Sequence, residues 1–156
     1  MIPIPDASKL FQEKGMFWYA EGAENANDEG GYTFWIDELK FEKLGTIAQP
    51  QPKMLNGVDD VQQSFVGTSI QIEGLTQTFN LGSGINQTVG AAPSYFEFTS
   101  SNPEVAQVSE RGVVTVTAQG ETVITATLGG VKAMGSLTLQ AGASFEFAPV
   151  PMLPQS

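Results

Sequence analysis

From Ser69 to Leu139 the chain divides into short runs of β-branched and aromatic residues, each closed by glycine, proline, asparagine or serine. Ile70 and Ile72 share a face, and after them come Thr78-Phe79-Asn80-Leu81, Tyr95 to Thr99, Val105 to Val108, Val113 to Thr117, Thr122 to Leu128 and Val131 to Leu139. Such residues suit a pleated, half-buried surface, and the turn formers between them leave no room for helices. The pattern predicts an all-β, antiparallel Greek-key sandwich made of local turns, rather than alternating β-α-β units. Alternation places Phe96 and Phe98 on one face, the core face, and turns Val105 and Val108 inward.

The remaining chain is too short for a second full domain. With 156 residues it holds one good core, or one core and an incomplete second unit. Residues 46–68 begin with Gln49-Pro50-Gln51-Pro52 and pass to Asn56-Gly57 and Asp59-Asp60 without sustained periodicity, so they read as a linker. Residues 141–156, with Pro149, Pro151 and Pro154, read as a second, extended connector.

Segment 1–45 has a different character, holding both tryptophans and more than half of the acidic residues. Met16-Phe17-Trp18-Tyr19-Ala20 suits a buried strand, and Gly31 to Glu42 starts apolar and then alternates, so a hairpin-like pair is expected around an acidic loop. Pro3 and Pro5 make the first residues an edge strand or arm, and Asp6 to Leu10 suits one helical turn.

Charge and composition remove several function classes. The formal charge of −10 is spread along the chain, which disfavours nucleic acid and anionic membrane surfaces and leaves neutral polymers, cations and other proteins. No stretch approaches the roughly 20 apolar residues of a membrane span, and the start lacks the basic and apolar regions of a signal peptide; in a secreted protein the leader would lie upstream. Cysteine and histidine are both absent, so there is no disulfide framework, thiolate zinc site, thiol nucleophile or imidazole base. Carboxylates remain, but Glu24, Asp28, Glu29, Asp37 and Glu38 have no visible framework to hold a catalytic pair. No catalytic residue is assigned, and no enzymatic activity is expected.

Two other kinds of site are open. Trp18, Tyr19, Tyr32 and Trp35 are candidates for stacking on the apolar face of a sugar; the competing reading makes Trp18 and Trp35 core and leaves Tyr19 and Tyr32 more exposed. Period-two alternation sets Asp37 on one strand face with Trp35, Leu39 and Phe41. A carboxylate buried there needs a partner, and structural calcium is a candidate; otherwise Asp37 lies at a sheet edge and reaches water or backbone amides. The acidic loop of Glu21, Glu24, Asp28 and Glu29 lacks the order of an EF-hand and reads as a solvated loop. Asn86-Gln87-Thr88 fits a glycosylation acceptor pattern, a short motif that carries little meaning by itself.

Two resemblances extend this reading. Phe98-Thr99-Ser100-Ser101-Asn102-Pro103-Glu104-Val105-Ala106-Gln107-Val108, with Gly112-Val113-Val114-Thr115-Val116 and Gly120-Glu121-Thr122-Val123-Ile124-Thr125-Ala126, resembles the bacterial Ig-like group 2 family over about residues 69–140. In that reading Ser101-Asn102-Pro103 forms a turn, while Gly112 and Gly120 permit tight reversals. Gly31-Tyr32-Thr33-Phe34-Trp35-Ile36-Asp37-Glu38-Leu39 is similar to the last strands of β-jelly-roll carbohydrate-binding modules, which makes residues 1–45 a partial jelly roll. The first resemblance implies a spacer or adhesive module of an extracellular or cell-surface protein. Together they imply a non-catalytic segment whose Ig-like domain positions modules that bind a polysaccharide such as a β-glucan; the alternative is a stalk repeat that contacts other proteins.

Overall fold

The computed structural model describes residues 3–10, 35–38, 40, 42 and 48–144. The chain divides into two compact units, Met1–Lys9 with Ile47–Ser156, and Leu10–Thr46.

The first unit is an all-β sandwich with eleven strands among the described residues: β1 (Ala48–Lys53), β2 (Asp59–Phe65), β3 (Ser69–Gln71), β4 (Thr76–Asn80), β5 (Asn86–Gly90), β6 (Phe96–Ser100), β7 (Ala106–Val108), β8 (Val113–Val116), β9 (Gly120–Leu128), β10 (Val131–Lys132) and β11 (Ser136–Gly142). Strand β9 is central to the larger sheet. Ile124 lies between Leu137 of β11 and Ser100 of β6, and Leu128 between Val131 of β10 and Phe96 of β6, so β10 and β11 share one side of β9. Strand β2 closes this sheet beyond β11. Two three-stranded sheets, β1-β4-β5 and β3-β8-β7, complete the fold.

Burial follows the alternation. Along β9, Thr122, Ile124, Ala126 and Leu128 are buried, and Leu137 and Leu139 do the same on β11. The apolar residues among them, Ile124, Ala126, Leu128, Leu137 and Leu139, form one cluster with Phe96, Val114, Val116, Ile72 and Met54, which is the core. Val105 is buried, while Val108 and Phe98 are half-buried at the margin of the cluster.

Two expectations give way here. Residues 46–68, read as a linker, contain β1 and β2, and Met54 between them is fully buried. The sheet is also not purely antiparallel: β11 pairs in parallel with β2 over seven register partners, from Ser136 with Asp59 to Gly142 with Phe65. Upstream, across the turn at Leu55–Gly57, the parallel direction is kept in a register shifted by four residues, with Lys53 and Met134 forming a bridge. A strand so polar carries almost no hydrophobic signal, and its partner is 77 residues away, beyond the reach of a local-turn reading.

At the start of the chain, Ala7–Lys9 forms a 3-10 turn, as the run from Asp6 suggests. Asp6 caps it: its Oδ1 accepts the Ser8 amide at 3.0 Å and the Ser8 hydroxyl at 2.7 Å.

In the second unit, Trp35–Glu38 forms no strand. Glu38 has φ 52°, which takes the backbone out of the extended region at the residue where the alternating strand should continue.

Candidate functional site

Trp18, Tyr19 and Tyr32 lie outside the described residues. Trp35 does not: it is 91% exposed, with its neighbour Ile36 at 54%, so the expected core position for this tryptophan is not what the fold provides. Asp37 is likewise exposed rather than buried among apolar side chains. The physical cause is shared, since without an extended strand at Trp35–Glu38 there is no face on which Trp35 and Asp37 could be packed. Among the described residues no group of three or more acidic, histidine or cysteine side chains is placed to hold a metal ion. Close by, Lys40 and Glu42 form an exposed ion pair at 2.9 Å.

The family-like motif has a structural job instead. Thr122 is 1% exposed, and its hydroxyl accepts the Asn102 amide at 3.0 Å while bonding the Ser100 hydroxyl at 2.8 Å. Ser101 crosses to the same strand, its Oγ accepting the Val123 amide at 2.8 Å. Asn102 Oδ1 accepts the Glu104 amide at 3.3 Å, and Thr117 donates its hydroxyl to the Glu104 carbonyl at 2.8 Å. Short polar side chains thus satisfy the backbone groups that the turn between β6 and β7 would otherwise leave unpaired. Gly112 and Gly120 have φ of 71° and 137°, as tight reversals at those places require.

The geometry with most bearing on function is the pairing of the first strands with the last. The Met54 amide donates to the Met134 carbonyl and the Met134 amide to the Pro52 carbonyl, both at 2.9 Å, so β1 enters alongside the residues that precede β11. The β2–β11 ladder follows, and the Val66 amide donates to the Gly142 carbonyl at its far end. Side chains reinforce it at its first pair and further along, with the Ser136 hydroxyl donating to Asp59 Oδ1 at 2.8 Å and Gln63 Nε2 donating to Gln140 Oε1. The segment therefore enters the domain at one end and leaves at the other, along two strands that run side by side in the same direction. Sequence reasoning missed these residues because it had assigned half of the pair to a linker.

The fold is an immunoglobulin-like β-sandwich. Residues 70–139 match the family model of the bacterial Ig-like domain (group 2). That span leaves out β1 and β2. No curated protein sequence matches the chain. Similar solved structures include an intimin mutant from EHEC O157:H7, at 22% identity, covering 51% of this chain and 34% of that one with a TM-score of 0.33. A GH10 xylanase from termite gut that contains a bacterial Ig-like domain has 23% identity over 52% of this chain and 19% of its own, with a TM-score of 0.34. Domains 1–6 of the surface layer protein SbsC have 21% identity over 67% of this chain and 16% of theirs, with a TM-score of 0.38. The chain spans about a third or less of the length of each. Among the described residues no helix is long and apolar enough to cross a membrane.

Proposed function

We propose that this chain is a non-catalytic spacer segment of a bacterial surface or secreted protein, in which the Ig-like domain holds neighbouring modules apart and transmits tension between them. The observation that carries this reading is the parallel run of β1 and β2 beside β11. It puts the incoming and outgoing ends at opposite poles, about 35 Å apart from Gln51 to Ala143 at roughly 3.3 Å per residue. A recognition domain with no such demand could have both ends at one pole. The family match over residues 70–139 supports the same class, since the resemblance implies spacers and adhesive modules.

The spacing is testable with donor and acceptor dyes attached at Gln51→Cys and Ala143→Cys, both exposed sites in a chain that has no cysteine of its own. Energy transfer should report about 35 Å at that rise per residue; a separation under roughly 20 Å would mean that the two ends lie at one pole.

As part of the same proposal, the protein's ligand is a polysaccharide such as a β-glucan, met through residues 1–45 or an adjoining module. What supports this is a tryptophan ring left 91% exposed, which offers an apolar plane to a sugar face. Affinity electrophoresis of the full chain in β-glucan gels should show retardation that Trp35→Ala diminishes. Equal mobility with and without the glucan would remove the sugar from the proposal and leave the spacer standing.

A further inference from the structure

The two outer strands of the sheet β1-β4-β5 differ in chemistry: β1 is partly covered, its Pro52 carbonyl accepting the Met134 amide, while β5 has no further strand beside it among the described residues. On β1, Pro50 and Pro52 remove amide donors, Lys53 adds a charge, and the register shifts between Ala48 and Gln51. Those are the devices by which sheet edges are kept from pairing with other chains. Strand β5 has none of them. Its sequence, Asn86-Gln87-Thr88-Val89-Gly90, contains no charge and no proline, and its register against β4 is continuous.

The neutrality extends well past the strand. From Gly74 to Phe96 there is no charged residue, in a chain whose formal charge is −10. The other free edges among the described strands each carry or adjoin charge: Asp59 and Asp60 on β2, Glu97 on β6, Glu73 after β3 and Glu104 before β7.

The hydrogen-bond phase along β5 shows which of its groups are free. The Leu81 amide donates to the Ile85 carbonyl and the Ala91 amide to the Leu75 carbonyl, so bonded pairs fall on odd-numbered residues. Asn86, Thr88 and Gly90 therefore direct their amides and carbonyls away from β4, and all three residues are exposed.

We infer that this edge is a self-association site, at which a second copy of the chain adds its own β5 antiparallel and extends the sheet across a two-fold axis. The occupant follows from charge: two chains of −10 repel wherever their carboxylates meet, and β5 is the regular strand edge where they approach without such a meeting. The sequence is also compatible with itself. Centring the pair on Thr88 sets Asn86 opposite Gly90 of the second copy, and every outward amide then finds an outward carbonyl. Thr78 and Thr88 already share a hydroxyl bond at 2.7 Å, so the two Thr88 residues continue a threonine row from one sheet into the next. One strand pair buries less than the roughly 1,200 Å² of a stable interface, so the contact is weak in solution, with a dissociation constant on the order of 0.1 mM, and gains strength where copies are tethered side by side. This goes beyond the spacer role and does not depend on it.

The test uses the full chain in sedimentation equilibrium and in amide chemical-shift titrations from about 10 μM to 1 mM, a range set around that dissociation constant. Reversible dimerisation is expected, tightened by added salt, which screens the repulsion elsewhere, with shifts centred on Asn86, Thr88 and Gly90. Thr88→Pro removes an outward amide while sparing the bonds to β4, and should weaken association at least tenfold. Should that variant fold poorly, Thr88→Lys places like charges face to face at the axis and should have the same effect. A chain that stays monomeric at 1 mM, a dimer whose shifts fall on another edge, or a folded Thr88 variant that associates as before would each overturn the inference.

Discussion

Thr122 shows how a residue of modest hydrophobicity becomes fixed in this core. Its hydroxyl is buried and accepts an amide that has no other partner among the described residues, so Thr122→Val fills the same space but leaves the Asn102 amide unsatisfied. The expected loss is about 1–3 kcal/mol, read as a fall in the thermal midpoint of roughly 4–8 °C per kcal/mol. Gln77 is the opposite case, 2% exposed with an Oε1 that has no hydrogen-bond partner among the described residues. Gln77→Met removes that desolvated carbonyl at similar volume and should leave the midpoint unchanged or higher; a fall of several degrees would mean that the amide has a partner of its own. Gly135 answers to space rather than to hydrogen bonding. A Cβ built there would lie 2.2 Å from the Met54 carbonyl oxygen at φ 91°, whereas one at Gly129 meets nothing within 4 Å. Gly135→Ala should therefore prevent stable folding, while Gly129→Ala costs about 1 kcal/mol for its backbone conformation alone.

At the scale of elements, β1 and β2 belong to the domain, although the family match begins after them. Without them β4 loses one of its two partners, β11 loses its outer one, and the fully buried Met54 leaves the core. A polypeptide of residues 69–140 should then fail to show a cooperative melt by circular dichroism, while residues 48–144 melt in one transition; equal melts would show that the first two strands are accessory. The contrast explains how far the sequence was readable. Strands from Phe96 to Leu139 were legible because Val, Ile, Leu and Phe recur there with period two, and the Ser101-Asn102-Pro103 turn was legible from its residue types. Strand β5 was not, because Asn86 to Gly90 has one apolar residue and holds its place by backbone pairing. Strands β1 and β2 were hidden by prolines and glutamines that on their own indicate a connector. At Trp35–Glu38 the error ran the other way: an alternating pattern suggested a strand, but pattern alone supplies no partner strand, and Asp37 is exposed, as the second of its two readings had it.

For the whole molecule, the arrangement of β1 and β2 beside β11 matters more than any single surface. Tension applied through the two poles of the domain pulls β2 and β11 past one another lengthwise, so the hydrogen bonds of all seven register partners resist together. Tension applied at one pole parts the same strands one pair at a time. A spacer that carries force needs the first geometry, and a domain that merely displays loops does not. Single-molecule pulling of the 156-residue chain, with handles first at Gln51 and Ala143 and then at Ser69 and Ala143, compares the two directly, because all three sites are exposed and only the pulling direction changes. The account predicts an unfolding force several times higher between Gln51 and Ala143 than between Ser69 and Ala143; equal forces, or the reverse order, would contradict it.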